Sequence, residues 1–162
     1  EKLEAGVSVV QIVGEFEDKL NAADLTLLIQ KPETPVYVMA DGRHFWRVID
    51  NLMNNICKYA QPGTRVYVDL RENGGQVELI FRNTSRYPLN ISSEELMERF
   101  VRGDESRNTE GSGLGISIAK SLMELMGGSF MLYVDGDLFK VVLGFAQIAE
   151  EKEPLNEDES GK

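Results

Sequence analysis

The chain has 162 residues, the size of one ordinary domain, and its 42% hydrophobic content supports a core and argues against disorder of the whole chain. The formal net charge of −10 disfavours non-specific binding to nucleic acid or to an anionic membrane. Cys57 is the only cysteine, which excludes an internal disulfide and fits a reducing compartment. No apolar run approaches the roughly 18 residues that a membrane-spanning helix needs.

The first part of the chain mixes helical and strand patterns. Residues 6–20 place apolar side chains at helical spacing and predict a helix. Residues 25–30 (LTLLIQ) and 35–40 (PVYVMA) predict two strands around the turn KPET. Asp41 is the predicted N-cap of a following helix, which ends near residue 60 where a Pro-Gly pair follows.

The middle of the chain predicts a hairpin and then an irregular segment. Residues 64–71 and 76–83 alternate apolar and polar side chains around an Asn-Gly-Gly turn. Residues 84–112 are mostly polar, with a short helical pattern at 92–100. A segment of this length inside a compact domain is typical of a lid or a binding loop.

The last elements complete the predicted fold. Residues 113–126 predict a helix, and residues 129–145 predict a second hairpin that turns near Gly136. Because neighbouring strands are joined by short turns, we expect an α+β two-layer sandwich. Its mixed, mostly antiparallel sheet of five or more strands carries about three helices on one face. Residues 147–162 hold six acidic residues against two lysines and predict a solvated, disordered tail.

A glycine-rich stretch, NTEGSGLGISIAK at residues 108–120, opens the helix that follows it. The GxxxxGK[ST] pattern of a P-loop is absent, and no strand directly precedes the glycines as in a Rossmann loop. Gly111, Gly113 and Gly115 would let backbone amides at a helix N-terminus approach an anion. By itself the pattern is equally compatible with a bare turn.

Polar side chains also gather on one face of the helix at residues 45–60. At about 100° per residue, Asn51, Asn55 and Lys58 fall within about 60° of arc, beside a stripe of core side chains. A solvated helix edge is the simpler interpretation. The functional interpretation is an amide oxygen that binds Mg²⁺, with a cation beside it for phosphate, because Mg²⁺ takes few protein ligands beside substrate phosphates.

Three stretches in this order resemble the sequence boxes of one family. NLMNNICKYA (51–60) resembles an N box, MERFVRGDESRN (97–108) an F box and the start of an ATP lid, and GSGLGISIAKSLMELMGG (111–128) a second glycine box. Together they resemble the catalytic ATP-binding domain of bacterial sensor histidine kinases, in the GHKL superfamily. The resemblance implies the Bergerat ATPase fold over residues 1–146, with a lid at about 98–112.

The resemblance also implies roles for individual residues. Asn55 would coordinate Mg²⁺, and Asn51 would help to position the metal or the triphosphate of ATP. Lys58 would contact phosphate, and Tyr59 would border the adenine. The resemblance further implies that the backbone amides of Gly111, Gly113, Leu114 and Gly115 lie near the phosphates. Arg102 and Arg107 in the lid would reach the γ-phosphate. Met97 and Phe100 would pack the lid against the body of the domain.

One box departs from the family pattern. The family has Asp-x-Gly-x-Gly after the strand, and its carboxylate accepts a hydrogen bond from the adenine amino group. The equivalent stretch here, NTSRY at residues 83–87, has Asn83 in place of the Asp and lacks both glycines. An amide oxygen still accepts from an amino group, but without charge assistance. Selectivity for adenine is therefore open, and a degenerate regulatory module that binds little or no nucleotide is the alternative.

The resemblance implies partners outside this chain. The phosphate acceptor would be a histidine on a separate dimerisation and histidine-phosphotransfer domain, and a response regulator would act downstream. His44 lies outside any acceptor motif, so this chain is not expected to phosphorylate itself. Asn51 and the displaced Asp50 leave no general base for water, so we expect little ATPase activity. The implied setting is a cytoplasmic domain of a membrane-anchored parent, with no membrane or nucleic-acid contact of its own.

Overall fold

A computed structural model describes residues 1–102 and 114–149. The helices are α1 (Ala5–Gly14), α2 (Glu17–Ala22), α3 (Gly42–Tyr59), α4 (Ser93–Arg102) and α5 (Leu114–Leu125). The strands are β1 (Lys2–Glu4), β2 (Leu25–Gln30), β3 (Tyr37–Met39), β4 (Thr64–Asn73), β5 (Gln76–Thr84), β6 (Ser129–Asp135) and β7 (Leu138–Ile148). Among the described residues, none of these helices is long and apolar enough to cross a membrane.

The strands form a seven-stranded sheet in the order β1-β3-β7-β5-β4-β2, with β6 also paired to β7. β2 and β4 run parallel, and the other described pairs are antiparallel. The predicted α+β fold with a mixed, mostly antiparallel sheet is therefore confirmed. The described part of the chain holds five helices rather than about three, because the predicted N-terminal helix is divided and α4 lies within the segment predicted as largely irregular.

The core lies between the sheet and the helices. Alternate residues of β4 and β5 are buried on one face of the sheet, among them Val66, Val68 and Leu79. The opposite face carries polar pairs, such as the Arg82–Asp69 ion pair at 2.8 Å. This alternation explains the two layers, since most of the buried apolar side chains of β4 and β5 lie on the face that the helices cover.

The first predicted strand pair is wrong in its pairing, although both strands exist. β2 does not pair with β3; it pairs in parallel with β4, whereas β3 pairs with β1 and β7. The KPET segment connects two separate parts of the sheet instead of closing a hairpin. Turn-forming residues indicate where the chain changes direction, but they do not determine which strand lies beside β2. Leu25, Leu27 and Ile29 of β2 contribute to the core beside β4.

The predicted helix at residues 6–20 is also wrong in its continuity. α1 ends at Gly14, and the amides of Glu15 and Phe16 donate to the carbonyls of Ile12 and Val13 at 3.2 and 3.0 Å. These tighter turns, at a glycine that favours helix poorly, redirect the chain before α2 starts. As a result the Phe16 ring is buried in the core.

Both later hairpins are confirmed, β4 with β5 and β6 with β7. β7 continues through Ile148, and Val38 and Tyr37 of β3 pair with Gln147 and Ile148. The strand therefore includes the first two residues of the segment predicted as the acidic tail. The predicted tail from residue 150 onward lies outside the described residues.

Gly128, between α5 and β6, has room for hydrogen only. A methyl group there would lie 2.6 Å from the carbonyl oxygen of Gly144 and 2.7 Å from Cε of Met123. We expect Gly128→Ala to lower the free energy of unfolding by about 1–3 kcal/mol, because the backbone carbonyl must move. The matched control is Gly14→Ala, where a methyl group meets nothing within 4 Å and the change should be neutral or slightly stabilising. Urea unfolding of both variants measures the difference, and equal stability would contradict this packing.

Candidate functional site

α3 presents the predicted polar face at the edge of the core. Its N-cap is Asp41, as predicted, whose carboxylate accepts from the amides of Arg43 and His44 at 2.9 and 3.2 Å. These backbone hydrogen bonds, that of His44 first, lower the pKa of Asp41. The helix then buries most of the predicted stripe, together with Met53, which the sequence pattern left out: Phe45, Val48, Ile49, Leu52, Met53 and Ile56. Tyr59, also predicted in the stripe, is half-buried.

Asn51, Asn55 and Lys58 are all half-buried along the border of this stripe, as their spacing predicts. Nζ of Lys58 lies 5.1 Å from the centroid of the Tyr59 ring. Asn54 faces elsewhere, because its side chain accepts from Nζ of Lys19 at 2.9 Å and donates to Asp50. α3 therefore separates two asparagine environments, and only one of them belongs to the predicted site.

The first turn of α5 lies against this asparagine face. A methyl group at Gly115 would lie 3.7 Å from Cβ and Cγ of Asn51, so the N box and the second glycine box are in contact. Nδ2 of Asn51 is buried and finds no hydrogen-bond partner in the described part of the chain. The N-terminal amides of α5 are not satisfied within the helix, so this end favours an anion.

A pocket of about 470 Å³ opens beside α3 and holds three of the predicted residues, Asn55, Tyr59 and Asn83. Its remaining lining comes from the segment after β5, from α4 and from β7: Ser85, Tyr87, Pro88, Leu89, Asn90, Ile91, Leu96, Arg99, Phe100 and Phe139. The volume falls in the range of small-molecule sites. Most of the lining is apolar, with a few polar groups, as expected for a site that holds an aromatic ring.

Two polar atoms at this pocket have no partner within the described residues. Asn83 is 5% exposed and its Oδ1 accepts no hydrogen bond, and the hydroxyl of Tyr59 is likewise buried and unpaired. A buried polar atom without a partner is costly, so each of these atoms favours a ligand that supplies one.

The bulk in the altered NTSRY stretch and the following proline lies at the rim of the pocket. Tyr87 is 61% exposed, and its amide donates to Oγ of Ser85 at 3.2 Å. Tyr87 and Pro88 line the rim without closing the pocket. The loss of the two glycines has therefore not filled the space beside Asn83.

α4 forms the opposite wall. Leu96 and Phe100 are buried, and the Phe100 ring meets Phe139 edge-on, with centroids 6.4 Å apart at 90°. Met97 packs at the edge of the core, so both predicted lid-seating residues contact the body. Sequence reasoning missed Leu96 and Arg99. The i,i+3 spacing from Leu96 to Arg99 and the i,i+4 spacing from Leu96 to Phe100 are the signal that places them on the same wall.

Arg99 brings a positive charge to the pocket wall, where it also forms an ion pair with Glu95 at 3.4 Å. None of the described side chains that line the pocket is a carboxylate. Asp50 lies instead on the α2 side of α3, where burial raises its pKa and Lys19 opposes that shift. The described lining therefore contains no acidic group that would repel phosphate or activate water.

Several predicted residues fall at or beyond the limits of the described chain. Arg107, Gly111 and Gly113 lie outside the described residues. Arg102 is the last residue of α4 and Leu114 the first of α5, so only their backbone positions are known. The structure thus brings together Asn51, Asn55, Lys58, Tyr59, Asn83 and Gly115, with the start of α5 beside them.

The chain was compared with known families and proteins. A family model described as "Histidine kinase-, DNA gyrase B-, and HSP90-like ATPase" matches residues 40–154. The probable sensor protein PcoS of Escherichia coli is 34% identical over 110 residues, which cover 65% of this chain and 24% of PcoS. The chain therefore spans about a quarter of the length of this relative.

Solved structures share the fold. The nucleotide-free catalytic domain of the histidine kinase ThkA has a TM-score of 0.77 at 18% identity, covering 91% of this chain and 95% of that chain. Full-length ShkA in complex with AMPPNP has a TM-score of 0.73 at 19% identity, covering 93% of this chain and 32% of ShkA. The family match covers more than half of the chain, and it includes α3, the pocket and α5. The chain belongs to the family of histidine kinase-, DNA gyrase B- and HSP90-like ATPases.

Proposed function

We propose that this chain is the ATP-binding catalytic domain of a two-component sensor histidine kinase. It binds Mg-ATP and transfers the γ-phosphoryl group to a histidine on a separate domain of the parent protein. The observation that carries the proposal is the pocket beside α3, which Asn55 lines together with two buried, unpaired polar atoms of Tyr59 and Asn83. One turn earlier on α3, Asn51 lies against the start of α5. The complex of the similar protein ShkA with AMPPNP, an analogue of ATP, supports a nucleotide as the ligand.

The purine ring fits the apolar part of the pocket. Phe139, Leu96 and Phe100 supply flat or aliphatic surface for the faces of the ring. Asn83 and Tyr59 place buried polar atoms without protein partners at the same pocket. A base with polar edges and apolar faces satisfies both kinds of surface at once.

The triphosphate then runs toward the start of α5. The amides of its first turn and the positive end of its dipole favour an anion there. Arg99 adds positive charge from the α4 wall of the pocket, and Lys58 adds another on α3 beside the Tyr59 ring. Asn51, which contacts Gly115, holds the start of α5 against α3 and so fixes the distance between the two phosphate-binding elements.

Asn55 is suited to hold Mg²⁺. Its amide oxygen is a hard donor on the pocket wall, and Mg²⁺ takes few protein ligands when phosphate oxygens complete its shell. Within the described residues, no cluster of three or more His, Cys, Asp or Glu offers an alternative metal site. A Mg²⁺ ion held by Asn55 would neutralise negative charge on the triphosphate.

Transfer depends on position more than on covalent help from the protein. The bond between the γ-phosphorus and the ADP oxygen breaks, a phosphorus–nitrogen bond to the acceptor imidazole forms, and the imidazole proton leaves to solvent. Lys58 and the amides of α5 stabilise the charge that collects on ADP. The described lining holds no carboxylate, and we expect little transfer of the γ-phosphoryl group to water in the absence of the acceptor.

The proposed partners follow from this chemistry. The acceptor histidine lies on the dimerisation and histidine-phosphotransfer domain, and the phosphoryl group then passes to a response regulator. His44 lies at the start of α3, where its amide donates to Asp41, away from the pocket lining. The domain works on the cytoplasmic side of a membrane-anchored parent.

Calorimetric titration of this chain with ATP and ADP, with and without Mg²⁺, tests the proposal. We expect Mg²⁺-dependent binding of ATP, and phosphorylation of the parent's dimerisation domain when it is added separately. A folded sample that binds no nucleotide would refute the proposal and favour a regulatory module, which the altered 83–87 stretch first suggested. Steady release of phosphate without an acceptor would favour an ATP-hydrolysing machine instead.

A further inference from the structure

The part of the pocket that β5 contributes has one side-chain amide, that of Asn83. Val77, Leu79 and Phe81 share the inner face of β5 with Asn83, and all four are buried. Asn83 is thus the polar position on an otherwise apolar strand face, and it comes where the strand reaches the pocket. Burial of an amide at this position is costly unless a ligand pairs with it.

No hydrogen bond of the described residues holds the Asn83 side chain by its oxygen. Its Oδ1 is buried and unpaired. The terminal amide torsion is broad and roughly two-fold, so the oxygen and the NH₂ group can exchange places at little cost. The pocket can therefore present an acceptor or a donor at this point.

The other unpaired polar atom has the same dual character. The hydroxyl of Tyr59 can donate or accept by rotation about its C–O bond. Oγ of Ser85 already accepts from the amide of Tyr87 and keeps a proton to donate. A carboxylate would accept only, but no carboxylate lines the described pocket.

We infer that this pocket accepts 6-oxopurine nucleotides as well as 6-aminopurine nucleotides, which rests on the proposed nucleotide site. The 6-amino group of adenine donates to Oδ1 of Asn83. The 6-oxo group of guanine or hypoxanthine accepts from Nδ2 of the same side chain after the amide turns. The apolar walls contact the ring faces, which differ little between these bases, so they do not oppose the exchange.

The test is titration of the unaltered chain with Mg-ATP, Mg-GTP and Mg-ITP. We expect the three dissociation constants to lie within about 10-fold of one another, because each base makes a paired contact with the amide. In Asn83→Asp the carboxylate can only accept hydrogen bonds. The affinity for ATP should therefore be retained, and the affinities for GTP and ITP should fall by about 30-fold or more. Asn83→Ala removes both hydrogen-bonding groups and should weaken ATP and GTP by similar factors.

Asn90→Asp is the matched control, because it adds the same charge at the exposed rim of the same pocket. This variant should change the dissociation constants of ATP and GTP by equal factors and leave the ratio of the two constants unchanged. Tight ATP binding with GTP and ITP each weaker by about 100-fold in the unaltered chain would overturn the inference and leave the proposed function standing. An Asn83→Asp variant that folds and keeps the original ratio would also overturn it. Failure of all three nucleotides to bind the folded, unaltered chain would remove the proposed function itself.

Discussion

Replacing Asn55 with alanine is expected to weaken binding of ATP in the presence of Mg²⁺ by about 100-fold or more. Loss of an outer-shell partner alone costs a metal site about 10- to 100-fold, and Asn55 is the proposed direct ligand. The amide lines the pocket on the same border of α3 as Asn51, which contacts the start of α5. Its replacement would therefore remove the oxygen that we propose as the ligand of Mg²⁺ beside the phosphates.

Two controls separate metal binding from general damage. Asn54→Ala makes the same change one position earlier, where the side chain contacts Lys19 and Asp50 on the other side of α3. It should cost some stability and leave ATP affinity unchanged. In the unaltered chain, omission of Mg²⁺ should lower the affinity for ATP. In Asn55→Ala, the affinity for ATP should no longer depend on Mg²⁺. A variant that keeps the original response to Mg²⁺ would show that another group holds the ion.

The site residues on α3 could be predicted from the sequence because their arrangement is local. Helical periodicity alone places Asn51 and Asn55 on one border and turns Asn54 away, and the structure agrees. The contact between Asn51 and Gly115 joins residues from separate helices, so the periodicity of either helix cannot predict it. Only the order of the sequence boxes suggested that the two elements meet.

The errors in the predicted fold have the same physical origin. Strand patterns indicated β2 and β3, but the pairing of β2 with β4 depends on long-range burial that no short window contains. The break after Gly14 accompanies burial of the Phe16 side chain in the core, which depends on contacts with residues distant in the sequence. Arg99 was missed because the prediction concentrated on arginines further along the lid, whereas α4 turns Arg99 toward the pocket.

The altered stretch after β5 shows how structure changes the interpretation of a motif. From the sequence, Tyr87 and Pro88 replace glycines and suggest an obstructed site. In the structure they occupy the rim, while Asn83 remains buried at the pocket with an unpaired oxygen. We therefore propose that the departure affects which base is bound more than whether a base fits.

Replacing Phe100 with alanine is expected to release α4 from the body and to weaken nucleotide binding by about 10- to 100-fold. The Phe100 ring is 4% exposed and meets Phe139 edge-on across the pocket. Loss of a buried phenylalanine costs about 3–5 kcal/mol in a fixed core, and an aromatic pair adds about 0.5–1.5 kcal/mol. Leu96, one turn earlier, is the other buried anchor of α4, so the remaining packing holds the helix weakly.

The Phe100→Ala substitution should destabilise the docking of α4 before it unfolds the whole domain. α4 can separate from the sheet while α3 keeps its packing, so amide hydrogen exchange in α4 should accelerate by about 100-fold and exchange in α3 by less. Val101→Ala is the matched control on the adjacent position, because that side chain is 62% exposed and contributes little to docking. It should leave both exchange and ATP affinity near the unaltered values. If Phe100→Ala kept α4 protected and ATP binding intact, α4 would not be a wall of the nucleotide site, and the seat of the lid would have to lie elsewhere.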